Sequence, residues 1–340
     1  MRPFEYIEPR SVQEAVDLLA AQRGEAQIIA GGTDLLSEIK DGTASPRRLI
    51  SLAGIPGLDT ISDTDDGLSI GAMVTIAQVA EHPGVGSYYT ALGQAAAQVA
   101  TPQIRNTGTL GGNLNQRPRC WYYRHPLTVC LKKGGDRCFA LAGASKYLCV
   151  TGGDRCYIVH PSDTAVALVA LNASIEIAGH SRVNTMPLEK FFAGPGPDLA
   201  RENVLEAGEL VTRVLLPNAN SGVDAKGEGN VISNTSVRSR YLKAGERETG
   251  DFALVSVAAV VTLEGNTLVQ ASVVLGGVAP VPYRAREVED YIRGKEAGDV
   301  DPAHAGSLAL PDARPMADNA YKVNLARNLI KRAVEELIGG

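Results

Sequence analysis

All five cysteines of this 340-residue chain, Cys120, Cys130, Cys138, Cys149 and Cys156, lie in one segment, and the glycine-rich stretch TPQIRNTGTLGGN (residues 101–113) runs directly into it. Such a region has to fold so that thiols gather beside a loop whose bare backbone amides can hold phosphate. Clustered thiols suit a metal or iron-sulfur group, which moves single electrons, and a phosphate-binding loop suits a flavin, which converts them to pairs. Together they predict redox chemistry.

A formal net charge of -5 gives no general attraction to nucleic acid or to an anionic membrane surface, so any phosphate must be held locally. The most apolar stretch, residues 252–263, contains Ser256 and Thr262 and falls short of the roughly 20 apolar residues of a membrane helix, so no membrane span is expected. Residues 1–10 carry charges and prolines without an apolar core and a small-residue cleavage site. The expectation is a chain made in the cytoplasm and either kept there or exported to the periplasm already folded, on the signal of a partner subunit. A reducing compartment favours metal ligation over disulfides for these thiols.

With 44% hydrophobic composition, the length allows two or three domains that each bury a core. Ser11 and Glu14 form a capping box ahead of Val12, Ala15, Val16 and Leu19 at helical spacing, and Gly24 closes that helix. Residues 26–30 (AQIIA) read as a short buried strand, broken by Gly31 and Gly32, with Thr33 and Asp34 placed to cap the next helix. A second unit follows: a strand at 68–72, a capping box from Thr75 to Gln78, and an alanine-rich helix across 89–100. After the cysteines, the segment 165–171 and a strand at 174–178 return to core-like patterning, so the cysteine region, residues 115–157, reads as an excursion from a folded domain. The polar segment 218–234 has too few apolar residues to pack and marks a domain boundary. Beyond it, 252–263 and 267–275 flank Glu264-Gly265-Asn266 as a hairpin, and Leu325, Leu329, Ala333, Val334 and Leu337 form the apolar face of a C-terminal helix. The expected organisation is 1–217 (subdomains 1–58 and 59–217) followed by an α+β domain, 218–340.

Two glycine loops and one thiol set carry the chemistry. The first loop, Ile28, Ile29, Ala30, Gly31, Gly32, Thr33, Asp34 and Leu35, places residues without a Cβ at a strand end, where amides can approach a pyrophosphate and the following helix N-terminus favours negative charge. It is not G-x-G-x-x-G, which argues against a Rossmann fold, and a bare glycine pair also serves simple chain reversal. The second loop offers Thr109, Gly112 and Asn113, hydroxyl, amide and carboxamide groups suited to phosphate oxygens and a ring edge. Cys120, Cys130, Cys138 and Cys156 supply four thiolates, as a cubane or a tetrahedral zinc site requires, with Cys149 as a spare inside the apolar string 147–150. No C-x-x-C pair occurs, so spacing alone leaves the metal open.

The AGGTDLL loop (30–36), TPQIRNTGTLGGNL (101–114), HPSD (160–163), GELVTRVLLP (208–217) and NAYKVNLARNLIKRA (319–333) resemble the FAD-binding middle subunit of the molybdenum hydroxylases, the xanthine dehydrogenase group. NQRPRCWYYRHP (115–126) with its following cysteines is similar to the subgroup whose flavin subunit carries an extra loop holding a 4Fe-4S cluster, as in aldehyde oxidoreductases of the periplasmic type and 4-hydroxybenzoyl-CoA reductase. The resemblance implies an α+β chain: a PCMH or vanillyl-alcohol-oxidase-type FAD-binding fold in two subdomains, plus a C-terminal α+β domain like that of the CO dehydrogenase flavoprotein. It implies FAD against the first glycine loop. Thr109, Gly112 and Asn113 would contact the flavin or its phosphates, Asp163 the ribitol or ribose hydroxyls, Leu210 the adenine side, and Lys243 a polar edge of the cofactor. Cys120, Cys130, Cys138 and Cys156 would hold the 4Fe-4S cluster, with Cys149 an addition.

The resemblance further implies no catalytic residue in this chain. A molybdopterin-binding large subunit would hydroxylate substrate, a 2Fe-2S small subunit would deliver electrons, and an external electron acceptor would take them. Two rival readings are a self-contained flavin oxidase of the same fold, for which no base is placed by a motif because His125 and His160 read as structural, and a non-enzymatic metal-binding assembly protein.

Overall fold

The computed structural model describes residues 2–21, 24–196, 198–218 and 235–339, so the expected polar linker lies almost wholly outside the described residues. Its twelve described strands form three sheets. Strands β1 (Glu5–Ile7), β2 (Ala26–Ile29) and β3 (Arg48–Ser51) make a small parallel sheet in the order β1-β3-β2. Parallel neighbours require a crossover, and the helix Val12–Ala21 supplies it. Its start is the expected one with a shift. Ser11 Oγ accepts from the Glu14 amide (3.1 Å), while the Glu14 carboxylate reaches past Ser11 to the amide of Arg10 (2.8 Å). The helix buries Ala15 and Val16 against Ile50, Leu52, Ile55 and Leu58, and Leu210 from far along the chain closes that core.

The second sheet is antiparallel and runs β4-β5-β8-β6-β7, with β4 (Ile61–Thr64), β5 (Gly67–Gly71), β6 (Ser174–Ala178), β7 (Val183–Pro187) and β8 (Leu210–Pro217). The Thr75–Gln78 capping box is fully formed and opens the helix Ile76–Glu81. The alanine-rich segment is the helix Thr90–Ala97, and residues 165–171 belong to the helix Asp163–Ala170, whose eight residues are all buried. The third sheet, β12-β11-β10-β9, comprises β9 (Thr235–Ala244), β10 (Val255–Glu264), β11 (Thr267–Gly276) and β12 (Tyr283–Arg284). The β10-β11 hairpin turns at Gly265, whose φ of 61° is the left-handed conformation glycine adopts freely. One face of this sheet, with Val255, Val257 and Val261, packs on the C-terminal helix Tyr321–Ile338. The other, through Tyr241, Ala258 and Val274, packs on the buried helices of the middle region. Burial on both faces accounts for the nearly unbroken apolar run in β10.

The cysteine region is an excursion, with only short turns at Trp121–Arg124, Leu131–Lys133 and Phe139–Leu141. Its far end is tied to the last domain: the Val150 amide donates to Val278 O (2.8 Å), and the Asn319 side chain donates to the Leu148 and Cys149 carbonyls (3.2 and 3.1 Å).

Candidate functional site

The two glycine loops, about 75 residues apart in sequence, meet backbone to backbone. A Cβ on Gly31 would overlap the Thr107 carbonyl oxygen and stand 3.2 Å from Gly108 Cα; a Cβ on Gly111 would lie 2.8 Å from Ala72 Cβ. Glycine is therefore demanded here first by loop-on-loop packing. Gly112, by contrast, would meet only Thr109 Oγ1 (3.1 Å) and Ala30 Cβ (4.0 Å), and it faces a cleft. The helix Leu35–Asp41 follows the first loop with no side-chain cap, so neither Thr33 nor Asp34 caps it by side chain as expected; instead the Leu36 amide donates to the Gly32 carbonyl (3.0 Å) and the Ser37 and Glu38 amides to the Asp34 carbonyl (3.0 and 3.2 Å).

Between the loops opens a cleft of about 670 Å³. Every residue expected to contact the cofactor lines it except Ile29 and Lys243. Lys243 is turned away from the expected cofactor edge. Its ammonium donates to Asp163 Oδ2 (2.7 Å) and to the Gln98 and Asp251 carbonyls (3.0 and 2.8 Å), which uses all three of its N–H bonds. Asp163 Oδ1 accepts from Tyr241 (2.7 Å). Burial pushes the Asp163 carboxyl up, and Lys243 and Tyr241 pull it back, so the pair is an enclosed ion pair at the cleft wall. Asn113 Oδ1 accepts from Ser162 (2.5 Å) and Thr164 (2.7 Å), which orients the carboxamide and leaves its N–H bonds unspent on these two partners.

Asp34 lines the cleft, but its carboxylate is engaged by the cysteine region. It accepts from the Arg117 amide (2.7 Å) and pairs with Arg119 (2.6 Å) and Arg124 (2.8 Å). Glu38, one turn later, accepts from Tyr123 (2.9 Å), and burial raises its pKa. Arg117 continues the chain of charges to Glu202 (3.1 Å), and Glu202 pairs with Lys132 (2.5 Å). Arg117, Arg119 and Arg124 thus fasten the cysteine region to the first glycine loop. Their presence in NQRPRCWYYR was visible, but nothing local distinguishes a fastening arginine from a solvated one.

Cys120, Cys130, Cys138 and Cys156 line a single small cavity whose remaining wall is Leu131, Ala140, Leu148, Ile158, three tyrosines and Lys132; Cys149 is not part of it. Among the described residues no three His, Cys, Asp or Glu side chains meet closely enough to hold one metal ion. Burial raises the Cys120 thiol and pushes Cys156 up to about 11 and Cys149 to about 12. A second chamber of about 550 Å³ shares Cys120, Tyr122 and Leu148 with the cysteine cavity and Arg119, Pro161, Asp163, Asp251 and Phe252 with the glycine-loop cleft. His160 is buried at its edge, edge-on to Phe192 with centroids 4.6 Å apart, and burial lowers its pKa to about 4, so it stays neutral.

Residues 2–219 match the family described as FAD binding domain in molybdopterin dehydrogenase. The chain belongs to the FAD-binding medium subunits of the molybdenum hydroxylases. The medium-subunit architecture extends to the C-terminus, where residues 240–337 match the CO dehydrogenase flavoprotein C-terminal domain. Over 99% of its length the subunit is 35% identical to aldehyde oxidoreductase FAD-binding subunit PaoB of Escherichia coli (strain K12), covering 98% of that protein. It is 28% identical to the carbon monoxide dehydrogenase medium chain of Hydrogenophaga pseudoflava, over 97% of this chain and 96% of that one. The crystal structure of carbon monoxide dehydrogenase from Hydrogenophaga pseudoflava lacking the Mo-pyranopterin moiety superposes with a TM-score of 0.75 at 26% identity, covering 99% and 98% of the two chains. The medium subunit is accordingly one component of an oxidoreductase that also has large and small subunits, and it binds FAD.

Proposed function

We propose that this medium subunit carries both FAD and a 4Fe-4S cluster and is the electron-transfer component of an aldehyde oxidoreductase or xanthine dehydrogenase-like complex. A 2Fe-2S small subunit would supply electrons, a molybdopterin-binding large subunit would hydroxylate the substrate, and an external acceptor would receive the electrons. The observation that carries the reading is the convergence of four cysteines on one cavity bordering a chamber that shares wall residues with the glycine-loop cleft. Bound there, FAD supplies conversion between electron pairs and single electrons, and a cubane supplies single-electron storage.

The residues present suit both groups. The first loop would offer its backbone amides to a pyrophosphate, Thr109 and Asn113 offer polar groups on the opposite wall, and Gly112 presents no side chain to the cleft. A lone zinc, about 2.3 Å from each thiolate, needs its ligands to meet at a point, whereas a cubane takes thiolates held farther apart; the cavity among the four is about 10 Å³, so its walls would part on loading. Thiols held protonated by burial must release protons on ligation, so loading would be favoured by rising pH. Aldehyde as the substrate class is supported by the 35% identity to the aldehyde oxidoreductase subunit. The compartment would follow the partner chain that carries an export signal, if one does.

The test is the absorbance spectrum and the iron, sulfide and flavin content of protein purified with its partner chains. Flavin bands over a broad iron-sulfur shoulder, with four irons in this chain, are expected. Flavin without iron would leave a self-contained oxidase, and colourless protein an assembly factor. Isolated medium subunit given aldehyde should show no turnover.

A further inference from the structure

The cysteine cavity contains one charged side chain. Lys132 follows Cys130 in the short turn Leu131–Lys133, lines the cavity, and is 2% exposed. It is held by Glu202 (2.5 Å) and by the Leu199 carbonyl (2.5 Å), so the ammonium cannot swing out to water. Glu202 is absent from the cavity wall and shares its charge with Arg117 at 3.1 Å. Among the described residues, Lys132 and Arg117 share Glu202 while Arg119 and Arg124 share Asp34, so Glu202 divides its charge between two cations and does not cancel that of Lys132 alone. Lys133, its sequence neighbour, donates to the His125 carbonyl (2.7 Å) and is not on the cavity wall.

A four-thiolate cluster is anionic and gains a further negative charge on reduction, so a fixed cation at its wall stabilises the reduced form more than the oxidised one. We infer that Lys132, clamped by Glu202, is the positioning residue that sets the reduction potential of the cluster held by Cys120, Cys130, Cys138 and Cys156. This inference rests on the cluster reading above. Lys132 acts through its charge and Glu202 opposes it, so the two residues should shift the potential in opposite directions.

The experiment is a redox titration of the assembled complex, followed by the cluster's own paramagnetic signal. Iron and sulfide content of the wild-type complex decides the underlying reading first, and an iron-free chain overturns both. With the cluster present, Lys132→Gln should move its potential to more negative values, Lys132→Arg should largely restore it, Lys133→Gln should leave it in place, and Glu202→Gln should move it to more positive values. If Lys132→Gln fails to retain iron, Glu202→Gln decides: a positive shift supports the inference. An unchanged potential in either cluster-loaded variant, or shifts of the same sign in both, overturns it.

Discussion

Replacing Gly31 with alanine separates two reasons for a glycine in the first loop. The new Cβ would overlap the Thr107 carbonyl oxygen and stand 2.7 Å from its carbon. Backbone atoms cannot rotate aside, so the loops must part by roughly 2 Å for the oxygen to regain a contact of about 3.5–4.0 Å. Forcing atoms into packed space costs about 1–3 kcal/mol, and a backbone partner places this case at the upper end, about 3 kcal/mol in the flavin-free protein. Gly112→Ala is the matched control. Gly112 sits in the short helix Leu110–Leu114 with Thr109 Oγ1 at 3.1 Å as its nearest obstacle. Alanine is favoured over glycine in a helix by up to about 1 kcal/mol, so flavin-free stability should be unchanged or slightly raised. The methyl would nevertheless stand on the cleft wall, and FAD affinity should fall at least about tenfold, equivalent to about 1.4 kcal/mol. Urea unfolding of deflavinated protein and fluorescence titration with FAD measure the two quantities separately. Wild-type stability in Gly31→Ala, or wild-type FAD affinity in Gly112→Ala, would refute the reasoning.

Three further outcomes follow from the geometry. Cys156→Ala should abolish bound iron, whereas Cys149→Ala, outside the cavity, should keep iron and sulfide content and lose only about 1–2 kcal/mol of stability on calorimetry; iron loss in the second would reassign the ligands. Lys243→Met leaves the Asp163 carboxylate enclosed without its cation and should cost about 3–5 kcal/mol in denaturant unfolding; a change under 1 kcal/mol would show the pair to be solvated. His160 takes a proton near pH 6.5 when unfolded but only near about 4 when folded, so its contribution is complete above about 6.5 and declines as pH falls toward 4, by at most about 3 kcal/mol. His160→Gln should flatten that part of the melting-temperature profile, and an undiminished acid slope would assign the loss elsewhere.

Local pattern carried much of the fold. The Thr75–Gln78 capping box, the β10-β11 hairpin, β6 and the C-terminal helix all follow from residues within a few positions of one another, where side-chain period and turn chemistry act directly. Strand β8 escaped pattern reading because its place between β5 and β6 depends on partners roughly 35 to 150 residues away. In the site, both glycine loops and the four thiols stand out by residue type, but spacing left their ligands open and the family resemblance supplied the assignment.

What a linear pattern does not contain is direction. Asp34 was expected at the cofactor as part of the first glycine loop and Lys243 from the family resemblance, yet the carboxylate of one serves the arginines of the cysteine region and the ammonium of the other neutralises Asp163. The chain thus specified by itself which groups are available: amides without side chains, thiols, and buried-type charges. Tertiary structure alone decided which charges meet, and therefore that Lys132 is enclosed against the thiols while Lys133 is not, because an ion pair depends on the distance between atoms in space and sequence spacing carries no such distance beyond a few residues.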